Sequence, residues 1–247
     1  HENSISKFLY PPISPAITRE RYWFGHFWSN YDFNNDGLLD FIYTGTMNPE
    51  NVEVTGEDTA GMCGGRDCEG GMPGPTLFLQ DQNGAFIDRS DLFVDLRSVP
   101  GQSLARQNLV ADFNGDDIPD LFIADHAIGH HDGIRDSYFL SQPDGTWFES
   151  SNTHLSDPSY QIFDHGGAVG DIDADGDVDI VLTELANRLT CWINDGSGSM
   201  SRRTCGDVNA FAIELGDMDG DGDLDLVHSG GVFLVFFILN ISRLLVT

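Results

Sequence analysis

Short apolar runs rich in β-branched and aromatic residues alternate with Asp-, Asn- and Gly-rich turns along most of this chain, and sustained helical periodicity is absent. Three runs end just before an acidic stretch: QNLVA at 107–111, HGGAVG at 165–170 and FAIELG at 211–216. Four begin just after one, as FIYTG at 41–45, LFIAD at 121–125, IVLTE at 180–184 and LVHSG at 226–230. Both sets read as strands. Downstream lie hairpin patterns, TLFLQDQNGAFIDRS, SYFLSQPDGTWFESS and LTCWINDGSGSMSRRT, turning at Asn83-Gly84, Asp144-Gly145 and Asp195-Gly196. Each unit therefore predicts four short strands. Four-stranded units recurring at intervals of 80, 59 and 46 residues predict an all-β fold, a β-propeller of four-stranded antiparallel blades.

The acidic stretches themselves repeat. DFNNDGLLD at 32–40, DFNGDDIPD at 112–120, DIDADGDVD at 171–179 and DMDGDGDLD at 217–225 place carboxylates or amides at positions 1, 3, 5 and 9. A coiled loop can turn those oxygens inward, with the position 7 carbonyl as a further ligand. Many oxygens around one site suit a hard cation, and a flexible loop favours calcium over octahedral magnesium or nitrogen- and sulfur-seeking zinc. Position 12 is Tyr43, Ile123, Leu182 or His228, where an EF-hand would carry Glu and enter a helix. One such loop alone is an ordinary solvated turn; four in one phase are a repeat. The second loop has Asp117 where the others have the turn glycine of position 6.

The loops, their flanking strands and the Asn/Asp-Gly hairpins resemble the FG-GAP/VCBS-type repeats of calcium-binding β-propellers, as in integrin α-chain heads, over roughly residues 20 to 231. The resemblance implies one Ca²⁺, about four in all, between the first two strands of each blade. Its side-chain ligands would be Asp32, Asn34, Asp36 and Asp40; Asp112, Asn114, Asp116 and Asp120; Asp171, Asp173, Asp175 and Asp179; Asp217, Asp219, Asp221 and Asp225. Leu38, Ile118, Asp177 and Asp223 would ligate through their carbonyls. The expected layout is an N-terminal segment (1–19), blade 1 (20–98) with an inserted loop at 44–75, blade 2 (99–156), blade 3 (157–208) and blade 4 (209–247). Family propellers usually close with seven blades, so this chain makes a small ring or part of a larger one. After Gly231 the pattern lapses into VFLVFFILNISRLLVT, which reads either as the last blade's outer strands or as a truncated end. Its apolar run is too short for the ~20 residues of a membrane span.

Charge sharpens this picture. The formal net charge of −28 excludes nucleic acid as a natural partner, and 17 aspartates lie in the four loops, so much of the acidity is ligand material. The chain opens at His1 without a charged-then-apolar leader and reads as a mature exported form, secreted, periplasmic or on the cell surface. Its four cysteines agree, and local pairs Cys63–Cys68 and Cys191–Cys205 are the simplest of three connectivities. The Gly-rich insertion around the first pair is a candidate recognition surface or a tolerated surface insertion.

Other candidate chemistry is sparser. Asp125, His126, His130, His131 and Asp132 cluster in DHAIGHHDG, as a zinc or acid–base site or as a solvated loop. His26, Arg106, His165 and Phe211 each lie six residues before a loop's first ligand, so strands lining an axis would set them in one ring. Trp23, Trp28, Trp147 and Trp192 read as residues packed between blades. The leading functional expectation is a non-catalytic recognition or adhesion module for a protein or glycan. The alternatives are a secreted hydrolase or lyase using the 125–132 loop, and a structural segment of a larger extracellular assembly.

Overall fold

The computed structural model describes residues 27–44, 74–97, 100–102, 105–125, 136–160, 164–184, 188–230 and 236–240. Outside them lie Cys63 and Cys68, almost all of the 44–75 insertion, His1, Trp23, His26, and His126, His130, His131 and Asp132.

Sixteen strands make up four sheets among the described residues, with only a 3₁₀ turn at Ser90–Leu92 and one helical turn at Ser151–His154 between them. The first sheet runs β1 (Phe27–Tyr31), β2 (Asp40–Thr44), β3 (Thr76–Gln80), β4 (Phe86–Asp88), all antiparallel. The second comprises β6 (Ala105–Ala111), β7 (Asp120–Asp125), β8 (Ser137–Ser141) and β9 (Trp147–Glu149). The third comprises β10 (Asp164–Gly170), β11 (Asp179–Glu184), β12 (Arg188–Asn194) and β13 (Met200–Gly206). The fourth holds β14 (Ala212–Gly216), β15 (Asp225–Ser229) and β16 (Phe236–Asn240). The run after Gly231 thus supplies the fourth sheet's third strand.

Successive first strands pack side by side, β1 on β6, β6 on β10 and β10 on β14, while each sheet extends away through its later strands. That is the radial arrangement of propeller blades. Gln107 ties two of these inner strands together: its amide donates to the Gly167 carbonyl at 2.7 Å and accepts the Gly167 N–H at 2.8 Å. Blade 1 also reaches across to blade 2, because β5 (Phe93–Val94) adds itself in parallel to the outer strand β9.

The core lies in the seams between blades, which explains why the second strands are apolar without alternation. Leu121 and Ile123 face the seam with blade 1, beside Phe33, Ile42, Leu77, Phe139 and Trp147. Phe122 and Ala124, one step out of phase, face blade 3 with Tyr138, Ile180, Leu182 and Trp192. Val181 points the other way, into the seam with blade 4, with Leu189, Ile213 and Leu226. A strand buried on both faces reads as a continuous apolar run. The disulfide Cys191–Cys205 joins β12 to β13 within that last seam.

Position 2 of each acidic loop carries an apolar plug. Phe33, Phe113 and Ile172 are each at most 1% exposed and fill the first, second and third seams, whereas Met218 is 53% exposed.

Candidate metal centre

Each loop joins the first strand of its blade to the second, and its conformation follows from one hydrogen-bond scheme. The position 1 aspartate caps the loop from within. Asp32 accepts the N–H groups of Asp36 and Gly37, and Asp171 those of Asp175 and Gly176. Asp112 accepts from Gly115, Asp116 and Asp117, and Asp217 from Gly220, Asp221 and Gly222. The position 5 carboxylates, Asp36, Asp116, Asp175 and Asp221, accept the position 7 N–H, from Leu38, Ile118, Asp177 and Asp223.

Such tight coiling requires left-handed backbone at two points. Position 6 is left-handed throughout, at Gly37 (φ +85°), Asp117 (+65°), Gly176 (+102°) and Gly222 (+94°). Position 4 is left-handed too, at Asn35 (+55°), Gly115 (+75°), Ala174 (+61°) and Gly220 (+79°). Ala174 has neither glycine's freedom nor the local hydrogen bonding of Asn or Asp, so it bears the strain.

The position 9 aspartate has a different setting from the other proposed ligands. Asp40, Asp120, Asp179 and Asp225 are at most 3% exposed. In the first three blades this carboxylate staples the loop to the third strand. Asp179 accepts the N–H of Ile172 at 3.0 Å on one oxygen and that of Asn194 at 2.8 Å on the other. Asp40 does the same with Phe33 and Gln80, and Asp120 with Phe113 and Ser141. For Asp225 the bond is with Met218. For Asp120 and Asp179 burial is the largest influence and outweighs the bonds, so both are pushed up to about 6 from the ordinary 3.8.

In the third loop the carboxylates of Asp171, Asp173 and Asp179 bring ligand atoms within 4.8 Å of one another, and in the fourth Asp217, Asp219 and Asp225 do so. Burial, together with the charges of Asp175 and Asp171, raises the pKa of Asp173. Such a set of oxygens fits a hard cation: a carboxylate oxygen that accepts one N–H keeps a second lone pair for the ion. The first two loops offer Asn34 and Asn114 at position 3, each accepting the position 5 N–H at 3.1 Å. Ser141 adds a hydroxyl bond to Asp116 in the second loop.

The loops also meet their neighbours. Asn35 donates to the carbonyl of Asp117 at 2.7 Å, joining the first loop to the second. Asn194 at the end of β12 uses all its side-chain capacity. It donates to the carbonyls of Phe113 and Val178 and accepts from the N–H groups of Gly196 and Gly198. Sequence gave no signal for this latch, since an Asn before a turn reads only as turn chemistry.

Of the second candidate cluster, only Asp125 lies among the described residues. It closes β7, fully buried, and its N–H donates to Asp136 at 2.8 Å. Asp136 in turn shares a side-chain hydrogen bond with Asp164, across the seam between blades 2 and 3. Burial, with the charge of Asp125, pushes Asp136 up to about 7, and burial beside Asp136 and Glu184 raises Asp164 well above its ordinary value. Two carboxyls at hydrogen-bond distance share a proton. Arg97 lies buried nearby, in a two-bond pair with Asp95 and 3.6 Å from Glu149.

All-β architecture, radial four-stranded blades and an oxygen-rich loop between the first two strands of each blade define a β-propeller of repeated acidic-loop units. Residues 112–182 and 171–228 each match the FG-GAP-like repeat, and the chain carries FG-GAP-like repeats across this stretch. No curated protein matches the sequence. Among solved structures, an alpha-L-arabinofuranosidase from Clostridium thermocellum is similar with a TM-score of 0.43 and 16% identity, over 95% of this chain and 70% of that one. No helix among the described residues is long and apolar enough to cross a membrane.

Proposed function

We propose that this chain is an exported, calcium-stabilised β-propeller that serves as a non-catalytic recognition module for a protein or glycan, with about four Ca²⁺ ions held in the acidic loops. The observation that carries the reading is the convergence of three carboxylates within 4.8 Å in each of the third and fourth loops. Without a cation these charges oppose the loop conformation, and an ion bound to the folded state alone stabilises it by mass action. At a hundredfold excess over its dissociation constant each ion contributes about 2.7 kcal/mol, so a few sites rival the whole stability of a domain, about 5–15 kcal/mol. The role is architectural: calcium holds the loop ends of the blades, and recognition falls to surfaces built on that scaffold.

Thermal unfolding in a calcium titration, with bound ions counted by native mass spectrometry, tests the reading. The midpoint should climb with calcium while about four ions bind. A midpoint indifferent to calcium would reduce the loops to acidic turns.

A further inference from the structure

At the axis, the inner strands of blades 2 and 3 are each interrupted by a β-bulge, and the bulges fall at equivalent residues. The pairing of β6 with β7 shifts between Ala105 and Gln107, at Arg106, and that of β10 with β11 shifts between Asp164 and Gly166, at His165. A bulge re-aims the side chain it carries. Immediately before β14, Phe211 packs its ring against His165, with centroids 4.7 Å apart at 86°, and remains 46% exposed. Gly166 makes room for that contact: a Cβ there would lie 2.9 Å from the Phe211 carbonyl oxygen. Arg106 completes the group, close enough to His165 for its charge to act on the imidazole. Three consecutive blades thus contribute one residue each to a patch holding a half-exposed aromatic ring, a guanidinium and an imidazole.

We propose that Arg106, His165 and Phe211 form an axial binding site for a neutral sugar residue of an oligosaccharide. The proposal rests on the reading of the chain as a recognition module and names the ligand class. The C–H face of a pyranose stacks on an exposed aromatic ring, while its hydroxyls need both donors and acceptors at the edge. Arg106 supplies donors, and His165 supplies one donor and one acceptor when neutral. Its neutral form is favoured at pH 7, because burial and the Arg106 charge lower its pKa. The carboxyl groups of Asp125, which acts on Arg106, and Asp164, adjacent to His165, lie behind the patch. Charge decides against the other sugar classes: a chain of net charge −28 repels a polyanionic glycan, and Arg106 opposes a cationic ligand in contact with the patch.

The test is calorimetric titration of the calcium-loaded protein with neutral xylo-, manno- and gluco-oligosaccharides and, for comparison, oligogalacturonate. A neutral oligosaccharide should bind with a dissociation constant of about 1 mM or tighter. Phe211→Ala should weaken binding about tenfold or more, Phe211→Trp should keep it, and His165→Ala should weaken it, each variant retaining its calcium-dependent melting. A well-folded protein that binds none of the neutral oligosaccharides would overturn the proposal, as would preference for oligogalacturonate or neutral-sugar binding unaltered by Phe211→Ala. Loss of the calcium response would instead refute the scaffold reading, so the two failures are distinguishable.

Discussion

Replacing Asp179 with Asn separates what this residue does as a staple from what it would do as an ion ligand. The carboxylate receives the N–H of Ile172 and of Asn194, at 3.0 and 2.8 Å, in full burial. An amide offers one oxygen, so one buried N–H faces an NH₂ group and goes unsatisfied, at about 1–3 kcal/mol. Against that stands relief of a buried charge. Between about 6 in the folded chain and the ordinary 3.8, the ionised carboxylate opposes folding by about 3 kcal/mol at neutral pH without an ion. The two effects nearly cancel, and Asp179→Asn in chelator should melt within a few degrees of the parent. In saturating calcium the parent gains up to about 2.7 kcal/mol of ion binding that the variant gives up, and because the two proteins are nearly equal without the ion this is the whole difference. At about 2–4 °C per kcal/mol for a chain of this size, the midpoint should fall by about 5–11 °C. Scanning calorimetry of both proteins in both conditions is the assay, and equal losses with and without calcium would refute the reasoning.

Further outcomes are specific. Ala174→Gly should relieve the left-handed strain at φ +61° and raise stability by up to about 1 kcal/mol, read by urea unfolding at fixed calcium. Arg97→Ala should cost about 3–5 kcal/mol in the same assay, because it leaves Asp95 and the fully buried Glu149 without their cation. In chelator, stability should fall as pH rises from about 4 to about 6. Asp120 and Asp179 stay protonated in the folded chain while their unfolded counterparts ionise near 3.8, so the native state holds more protons across that window. In saturating calcium the trend over the same window should reverse, since the ion needs the carboxylates ionised, and melting midpoints across the pH series check both signs.

Blade architecture was legible because it is local: a strand, an acidic loop and an Asp-Gly hairpin each carry their own signal. Of the four residues expected in one ring, His165 does lie beside Arg106 and Phe211, since equal offsets from a repeated loop land at equal places in each blade, while His26 lies outside the described residues. What failed to show in sequence is relational. Position 4 of the loop is left-handed, yet Ala174 there gives no hint of it. Asp136 and Asp164 belong to different blades and stand at the starts of ordinary strands, so nothing in spacing announces that they meet. Asn194 and the parallel addition of β5 to β9 depend likewise on which blade lies next door.

The apolar plug at position 2 shows how such a chain can grow. Phe33, Phe113 and Ile172 each seal their blade against the following one, so the residue that completes a seam travels in the same nine-residue loop as the candidate ion ligands. Duplicating one blade would therefore copy its acidic loop and its adhesive toward the next blade in a single event. Lengthening the row of blades then demands a new match on one side only.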